Sequence, residues 1–250
     1  LFDIHKEHRH AMTWSMLQKQ GRMHPTVALF PNEAFYNGQL HPVPVSHQQE
    51  DLPYICYDNT HALQKLVATE RLSFISTKRY VLDKNNKSNT NEAKIVAALV
   101  YQIYTIYQTN KIDFVAEKSL GIITPYRSQI ALIRKELHRL AIPALQHISI
   151  DTVERYQGSQ RDIIIYSFSI NKLYQLDALA SNICIDNGQH IDRKLNVALT
   201  RARKQLFIVG NKDILSHNAT YKSFIEHIST FGTCIDEDLD SVIQGEFQID

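Results

Sequence analysis

Four short stretches of the chain place polar side chains where predicted strands end or predicted helices begin. The stretches are QKQGRMHP at 18–25, GIITPYRSQ at 121–129, DTVERYQGSQRD at 151–162 and NVALTRAR at 196–203. Two of them carry the arginines Arg22 and Arg201, whose guanidinium groups remain charged and can bind phosphate oxygens. Each stretch is a weak signal by itself, because an arginine near a strand end more often lies on the surface or pairs with a carboxylate. Thr-Pro-Tyr and Gln-Gly are likewise typical of ordinary turns.

The elements that must position these stretches alternate between helix and strand. Apolar residues recur at helical spacing from Ile95 to Tyr107 and from Gln129 to Leu140, and Asp192 to Ala202 is also predicted to be helical. Strands are predicted at LPYICYD (52–58), RLSFIST (71–77), SLGIITPY (119–126), HISID (147–151), RDIIIYSFSI (161–170) and QLFIVGN (205–211). This alternation predicts an α/β fold with a mostly parallel sheet, whose functional loops lie at the carboxyl ends of the strands.

The domain limits follow from composition. With 250 residues and 44% hydrophobic side chains, the chain can bury a sizeable core, and we expect one globular unit at 1–230. The stretch KNNKSNTN at 84–91 is the clearest predicted loop. The end of the chain, TCIDEDLDSVIQGEFQID, holds six acidic residues and no basic one, so we predict a peripheral acidic tail at 231–250.

Charge and cysteine usage exclude several classes of protein. A net charge of +1 excludes a globally basic nucleic-acid binder, although a local patch can still bind phosphate. Cys56, Cys184 and Cys234 lie far apart without a CxxC pair, which argues against a disulfide framework and a zinc ribbon. No apolar window has the length of a membrane span. These features predict an intracellular, cytoplasmic protein without a membrane segment.

Three histidines near the start of the chain raise the question of a metal site. His5, His8 and His10 have no HExxH motif and no cysteine beside them. A solvated or nucleic-acid-facing segment is therefore favoured over a metal centre, and we predict no metal site.

The order of the four stretches resembles a known family. In the second RecA-like domain of superfamily 1 helicases, in the branch of the nonsense-mediated-decay RNA helicase and the replication helicase-nucleases, QYRMHP and FYxGxL precede ITPYxxQ, TVDxFQGxExD and LNVALTRAR. This chain has QGRMHP, FYNGQL, ITPYRSQ, TVERYQGSQRD and LNVALTRARKQLFIVGN, together covering about residues 16 to 211. The resemblance implies a RecA-like α/β fold of the P-loop NTPase type, without a P-loop of its own.

The resemblance also implies roles at a nucleotide. Arg201 matches the arginine that reaches the γ-phosphate of ATP bound on a partner domain, and Arg22 matches a second arginine at the same phosphate. Such cations suit phosphoryl transfer, which builds negative charge on the phosphate oxygens. Gln20, Gly158 and Gln160 match positions near the nucleotide. For Arg203, a brace to the helix or to a neighbouring acid is favoured over a nucleotide contact.

A second group of residues matches positions that lie along single-stranded nucleic acid in the family. These residues are Thr124, Pro125, Tyr126, Gln129, Thr152 and Gln157. Hydroxyl groups and backbone amides at a strand-to-helix turn suit phosphate contacts, which position a strand without reading its sequence. Gln157 and Gly158 also belong to the motif that joins the nucleotide cleft to the strand.

The chain departs from the family pattern at two positions and lacks two motifs. Gln160 replaces a glutamate expected at the nucleotide ribose, and Gly21 replaces an aromatic residue. No G-x-x-x-x-G-K-[ST] occurs among the eight glycines, and no Asp-Glu pair ends a strand before QGRMHP. ATP and Mg²⁺ would therefore be held mainly by a first RecA-like domain outside this chain. We expect the isolated chain to be inactive as an ATPase.

These observations favour the carboxy-terminal motor half of an ATP-dependent helicase that acts on single-stranded nucleic acid, with DNA favoured over RNA. The family implies translocation from 5′ to 3′. The alternative from another class is a nucleic-acid-binding or regulatory module that keeps the motor fold without turnover. An unrelated α/β fold with coincidental motifs is the third possibility. A P-loop upstream of Leu1 would support the first interpretation.

Overall fold

The apolar runs of the sequence become the strands of a central parallel sheet. The computed structural model describes residues 18–58, 60–77, 87–156, 158–180, 183–186 and 189–249. The strands in these ranges are β1 (Lys19–Gln20), β2 (His41–Pro42), β3 (Leu72–Ser76), β4 (Leu120–Ile123), β5 (Ser149–Asp151), β6 (Arg161–Ser167), β7 (Ile183–Asp186), β8 (Gln189–Asp192), β9 (Ala202–Gly210) and β10 (Thr233–Ile235).

Helices connect these strands. The α-helices in the described ranges are α1 (Pro25–Tyr36), α2 (Ala62–Thr69), α3 (Thr90–Thr109), α4 (Ala116–Ser119), α5 (Arg127–Arg139), α6 (Leu173–Ala180), α7 (Arg193–Leu199), α8 (Lys212–Leu215), α9 (Ala219–Phe231) and α10 (Leu239–Gln244). Short 3₁₀ helices lie at Ser46–Gln48 and Pro143–His147.

The main sheet has the strand order β10-β3-β9-β6-β4-β5, and every neighbouring pair is parallel. All its strands therefore end at one side of the sheet, here called the carboxyl edge, and begin at the other side, the amino edge. Two small sheets accompany it, a parallel pair of β1 and β2 and an antiparallel pair of β7 and β8. The prediction of an α/β fold with a mostly parallel sheet flanked by helices is confirmed.

Helices cover both faces of the main sheet, so its central strands are apolar on both sides. On β6, Ile163 and Ile165 pack into the core layer that contains α3, whereas Ile164 and Tyr166 pack into the layer that contains α7 and α9. Successive side chains of a strand point to opposite faces, and a strand buried on both faces must therefore be apolar throughout. This explains the continuous run of RDIIIYSFSI.

The predicted helices are present with small differences at their ends. The helix predicted from Ile95 to Tyr107 is α3, which begins earlier because the Asn89 side chain accepts a hydrogen bond from the backbone N–H of Glu92. The helix predicted from Gln129 to Leu140 is α5. None of the helices in the described parts of the chain is long and apolar enough to cross a bilayer.

The helix predicted from Asp192 to Ala202 ends too late. The Asp192 side chain caps α7, the helix ends at Leu199, and Ala202 already pairs with Arg161 as the first residue of β9. Alanine suits either element, so the pairing with β6 decides its conformation. The predicted strand QLFIVGN is the later part of β9.

The strand predicted at LPYICYD is absent. Residues 51–56 have no regular secondary structure, and Ile55 and Tyr57 are 59% and 64% exposed. The Asn110 side chain at the end of α3 accepts a hydrogen bond from the Ile55 amide at 2.8 Å and donates one to the Ile55 carbonyl at 3.0 Å. This side-chain amide takes the place of a neighbouring strand. The other predicted strands are present as β3, β4, β5 and β6.

The predicted acidic tail lies at the edge of the sheet but is integrated with it. β10 extends the main sheet beside β3, and Val242 of α10 is fully buried in the core. Whether residue 230 marks a domain limit remains a prediction. Of the predicted loop at 84–91, residues 84–86 lie outside the described residues, whereas Thr90 and Asn91 belong to α3.

Gly121 in β4 is a position where the close packing of the sheet can be tested. A Cβ atom added there would collide with the Tyr156 hydroxyl and lie 2.9 Å from Cγ of Arg161. We expect Gly121→Ala to lower the free energy of unfolding by about 1–3 kcal/mol, the usual cost of overpacking. Chemical denaturation followed by circular dichroism measures it.

The matched control is Gly21→Ala, where the nearest atom to an added Cβ is 3.9 Å away. This variant should unfold at nearly the same denaturant concentration as the wild type. Equal losses of stability in the two variants would contradict the assignment of close packing to Gly121.

Candidate functional site

The turn that carries Arg22 is shaped by the side chain of Gln20. The Gln20 side-chain oxygen accepts hydrogen bonds from the backbone amides of Arg22 and Met23 at 3.0 and 2.8 Å, and its nitrogen donates to the Met23 carbonyl at 3.0 Å. The buried amide of Gln48 donates to the carbonyls of Gln20 and Met23. The predicted role of Gln20 at a nucleotide remains a prediction, and its role in the structure is to form this turn.

Arg201 lies in the short connection between α7 and β9. It is 8% exposed, its Nε donates to the Val197 carbonyl at 3.2 Å, and its Nη1 donates to the Ser159 carbonyl at 3.3 Å. The last carbonyls of a helix have no partner within the helix and carry partial negative charge. The end of α7 thus provides a favourable position for a cation.

Arg22 and Arg201 lie beside each other. Arg22 donates from Nη1 to the Thr200 carbonyl and from Nε to the side-chain oxygen of Gln160, both at 3.1 Å. Burial, and then the positive charge of Arg22, lower the pKa of Arg201. We call Arg22, Gln160, Thr200 and Arg201 the arginine cluster. The structure therefore brings the two predicted phosphate-binding arginines together.

In the described residues, the hydrogen bonds of both arginines go to carbonyl and amide oxygens, and neither forms an ion pair with a carboxylate. A guanidinium group has five N–H donors, so donors remain for a ligand. An anion bound here would reduce the repulsion between the two cations. The arrangement suits a phosphate group.

Arg203 has a different environment. Its Nη1 lies 2.8 Å from a carboxylate oxygen of Asp162, and Lys204 lies 2.9 Å from the other oxygen. Arg203 also lies 3.4 Å from the Nδ1 atom of His47, whose Nε2 atom lies 2.8 Å from the Arg22 carbonyl. Because a guanidinium only donates, Nδ1 accepts and Nε2 carries the hydrogen. These contacts support the interpretation of Arg203 as a brace.

The remaining residues predicted to lie near the nucleotide adjoin the cluster. Gln160 is exposed, and its side-chain oxygen already accepts a hydrogen bond from Arg22. Gly158 has a φ angle of +82°, which favours glycine, and an added Cβ would meet nothing within 4 Å. Gln157 lies outside the described residues. Gly21 is exposed, and a Cβ added there, where the family has an aromatic side chain, would lie 3.9 Å from Cβ of Val43.

The arginine cluster lies at the amino edge of the sheet, contrary to the expectation that the functional loops lie at the carboxyl edge. Arg201 directly precedes β9, and Gln160 directly precedes β6. The reason is the direction of the chain, because a helix that leads into a parallel strand meets the sheet at its amino edge. Among the predicted site residues that the structure describes, those at the carboxyl edge are the ones predicted to contact nucleic acid.

Two of those residues are fully buried. The Thr124 hydroxyl lies 3.0 Å from the Ser169 hydroxyl. The Gln129 side chain accepts a hydrogen bond from the backbone N–H of Asn89 at 2.8 Å and donates one to the backbone carbonyl of Asn89 at 3.1 Å. These side chains hold the loops of the carboxyl edge together. Pro125, Tyr126 and Thr152 are partly exposed and remain accessible to a ligand.

A buried carboxylate, which the sequence analysis missed, completes this network. Glu92 in the first turn of α3 is 0% exposed and accepts hydrogen bonds from the Ser167 hydroxyl at 2.7 Å and the Ser169 amide at 2.8 Å. The Asn89 side chain donates to its other oxygen at 3.3 Å. Helix α3 is thereby connected to the end of β6. An acid in the first turn of a helix is common, so the sequence carries no signal of this role.

Comparison with known proteins agrees with this geometry. The profile of a family described as "AAA domain" matches residues 1–213. The chain belongs to this AAA domain family. Together with its relatives, the match identifies a superfamily 1 helicase motor domain, and the prediction drawn from the motif order is confirmed.

Three relatives illustrate the similarity. Helicase SEN1 of Saccharomyces cerevisiae is 30% identical over 217 residues, which cover 84% of this chain and 9% of that protein. DNA-binding protein SMUBP-2 of Rattus norvegicus is 27% identical, with 87% of this chain and 20% of that protein covered. Regulator of nonsense transcripts 1 of Dictyostelium discoideum is 28% identical, with 90% and 16% covered. The chain thus spans a fifth or less of each of these relatives.

The residues that the structure describes contain no group of three or more His, Cys, Asp or Glu residues that could hold a metal ion. His5, His8 and His10 lie outside the described residues.

The buried carboxylate makes the stability of the chain depend on pH. Burial raises the pKa of Glu92 from 4.5 to about 8, although the Ser167 hydroxyl and the Ser169 amide oppose this shift. The folded chain therefore binds this proton more tightly than the unfolded chain. The contribution of the protonated Glu92 side chain to the free energy of unfolding is complete below about pH 4.5 and is lost as the pH rises through about 8.

We expect Glu92→Gln to flatten the decrease in the free energy of unfolding between pH 4.5 and 8. One proton contributes at most about 1.4 kcal/mol per pH unit to this slope. Chemical denaturation at several pH values measures it. Glu117→Gln, at an exposed position on α4, is the control and should keep the wild-type slope. Wild-type and Glu92→Gln chains with the same slope would contradict the assignment.

Proposed function

We propose that this chain is the carboxy-terminal motor half of an ATP-dependent helicase, which supplies arginines to a γ-phosphate and contacts to a single strand. The observation that carries the proposal is the pairing of Arg22 with Arg201 in a cluster that contains no carboxylate. A non-catalytic module has no need for two adjacent cations, which repel each other. The helicase names of several relatives support the same proposal.

The residues present fit one end of ATP. The arginine cluster can bind a terminal phosphate, but the chain contains no G-x-x-x-x-G-K-[ST] to cradle the other phosphates. We infer that a first RecA-like domain holds most of the ATP together with Mg²⁺, while Arg22 and Arg201 approach the γ-phosphate from this chain. ATP supplies the phosphoryl group whose transfer to water drives the motor.

Arg201 would act electrostatically. Its Nη1 donates to the Ser159 carbonyl, and binding a phosphate would exchange this neutral acceptor for a charged one. A guanidinium fixed in place stabilises negative charge as it develops, with little reorganisation of its surroundings. Since Arg201 is 8% exposed, we propose that this exchange occurs when the two domains close.

The nucleic acid would bind at the carboxyl edge. Pro125, Tyr126 and Thr152 are partly exposed there, and the buried side chains of Thr124 and Gln129 would act indirectly by fixing the loops. Contacts of this kind position the phosphate backbone and tolerate any sequence. We propose single-stranded DNA as the preferred ligand over RNA. The name of one relative, DNA-binding protein SMUBP-2, supports this order.

A continuous stretch of chain connects the two ends of the proposed motor. β5 ends at Asp151 on the carboxyl edge, and β6 begins at Arg161 on the amino edge. The described residues 152–156 and 158–160 therefore lie between the proposed nucleic-acid contacts and the arginine cluster, a distance comparable to a seven-residue β-strand, roughly 20 Å. We propose that this stretch transmits changes at the nucleotide to the bound strand of nucleic acid.

The test is Arg201→Ala in the full-length protein. If Arg201 meets the phosphate only on closure, ATP turnover should fall much more than ATP affinity. With Arg22 still present, we expect turnover to fall on the order of 10²-fold or more. Arg201→Lys should restore little, because a flexible point charge does not reproduce the planar guanidinium. Steady-state ATPase assays with single-stranded DNA measure both parameters.

The control is Arg203→Ala, which removes one of the two cationic partners of Asp162 and should affect stability more than turnover. Circular dichroism must show that both variants are folded. If folded Arg203→Ala loses hydrolysis while Arg201→Ala keeps it, the γ-phosphate role belongs to Arg203. Unchanged hydrolysis in both variants would contradict a γ-phosphate role for either arginine, whereas a wild-type full-length protein that hydrolyses no ATP would favour the non-catalytic module.

A further inference from the structure

Two large apolar side chains are exposed next to each other at the carboxyl edge. Leu173 and Tyr174, the first residues of α6, are 51% and 54% exposed. They follow β6 by a few residues, on the side of the sheet where Thr124 and Tyr126 follow β4. Exposing two large apolar side chains to water is unfavourable, and at the beginning of this helix it adds no contacts to the core. This suggests a binding role for the pair.

Hydrogen bonds fix the chain just before the pair. The Gln175 side chain, 3% exposed, accepts hydrogen bonds from the backbone amides of Asn171 and Lys172 at 2.8 and 2.9 Å. The Asn171 side chain donates to the Ser88 carbonyl and accepts from the Asn89 side chain, both at 2.8 Å. The Asn89 side chain also donates a hydrogen bond to Glu92. The first turn of α6 is therefore anchored to the same hydrogen-bond network as the residues predicted to contact nucleic acid.

A second tyrosine lies nearby. Tyr126 is partly exposed and directly precedes α5. It follows β4, whereas Tyr174 follows β6, and these two strands are paired neighbours in the sheet. The two aromatic rings therefore belong to neighbouring loops of the carboxyl edge.

The charges around the tyrosines favour an anionic ligand. Arg127 is exposed beside Tyr126, and Lys172 is partly exposed beside Leu173. In the part of the chain that the structure describes, neither cation forms an ion pair. The first acidic residue of α6 is Asp177, one turn beyond Tyr174. Aromatic rings interleaved with cations are the usual composition of a single-strand binding surface.

We propose that Tyr174, with Leu173 beside it, is a platform on which a base of the single-stranded nucleic acid stacks, next to Tyr126 and flanked by Arg127 and Lys172. The proposal rests on the proposed function, since it extends the strand path predicted at Tyr126. A rigid aromatic ring loses little conformational entropy on binding, and stacking tolerates every base. A protein partner at the same surface is the alternative outcome of the test.

The test uses the full-length protein and fluorescence anisotropy with two labelled oligonucleotides, dT₁₂ and a backbone of equal length in which all bases are removed. Tyr174→Ala should weaken binding of dT₁₂ about tenfold, the usual loss for one stacked base, and leave the abasic backbone nearly unaffected. Tyr174→Phe keeps the ring and should bind dT₁₂ like the wild type. Tyr101→Ala removes a comparably exposed tyrosine from α3 and is the matched control.

Three outcomes would overturn the platform. They are an unchanged affinity of Tyr174→Ala for dT₁₂, equal losses for dT₁₂ and the abasic backbone, and a loss no larger than that of Tyr101→Ala. The first would favour a protein partner at this surface.

Arg201→Ala is measured in parallel. If it abolishes ATP turnover while Tyr174→Ala binds normally, the platform fails alone. A wild-type protein that binds no single strand overturns the platform together with the proposed function.

Discussion

Two guanidinium groups lie side by side without a carboxylate partner in the described structure, and much of the amino edge serves to hold them. The carbonyls of Val197 and Thr200 at the end of α7 accept hydrogen bonds from Arg201 and Arg22. A helix end offers partial negative charge without the full charge of an acid, so it positions the cations while leaving them able to attract phosphate. An aspartate at this position would bind the two arginines more tightly, but its negative charge would cancel their attraction for phosphate. Arg203 shows this contrast, because Asp162 neutralises it.

The carboxyl edge solves a different problem, a buried acid among polar side chains. Glu92 receives hydrogen bonds from Ser167 and Ser169, and the same serines contact Gln129 and Thr124. A buried carboxyl group is tolerated only when it is hydrogen-bonded or protonated, and such a fully connected network fixes the surrounding backbone. The loops that follow β4 and β6 therefore have one arrangement relative to each other. The buried network thereby holds in place the surface that we propose to contact single-stranded nucleic acid.

Periodicity predicted the fold well because parallel strands covered on both faces need uninterrupted apolar runs, as in β6. The convergence of Arg22 and Arg201 followed from motif order. The burial of Thr124 and Gln129 could not be predicted, because a polar side chain at a strand end faces solvent or the interior according to its partners. Those partners, Ser169 and Asn89, are distant in sequence. The roles of Glu92 and of the Gln48 amide were missed for the same reason.

The separation of the two sites on opposite edges of one sheet limits how they can communicate. A sheet packed on both faces resists deformation, so a change at the arginine cluster is more easily passed along a connecting segment than through β6. The described residues 152–156 and 158–160 belong to the segment between the two edges, and Gly158 with its φ of +82° permits a conformation that other residues rarely adopt. Arg201 contacts this segment at the Ser159 carbonyl, and Arg22 contacts it at Gln160. An anion that draws either arginine away would therefore release the segment at its amino-edge end, while Thr152 at its other end lies on the carboxyl edge, where we propose that the nucleic acid binds.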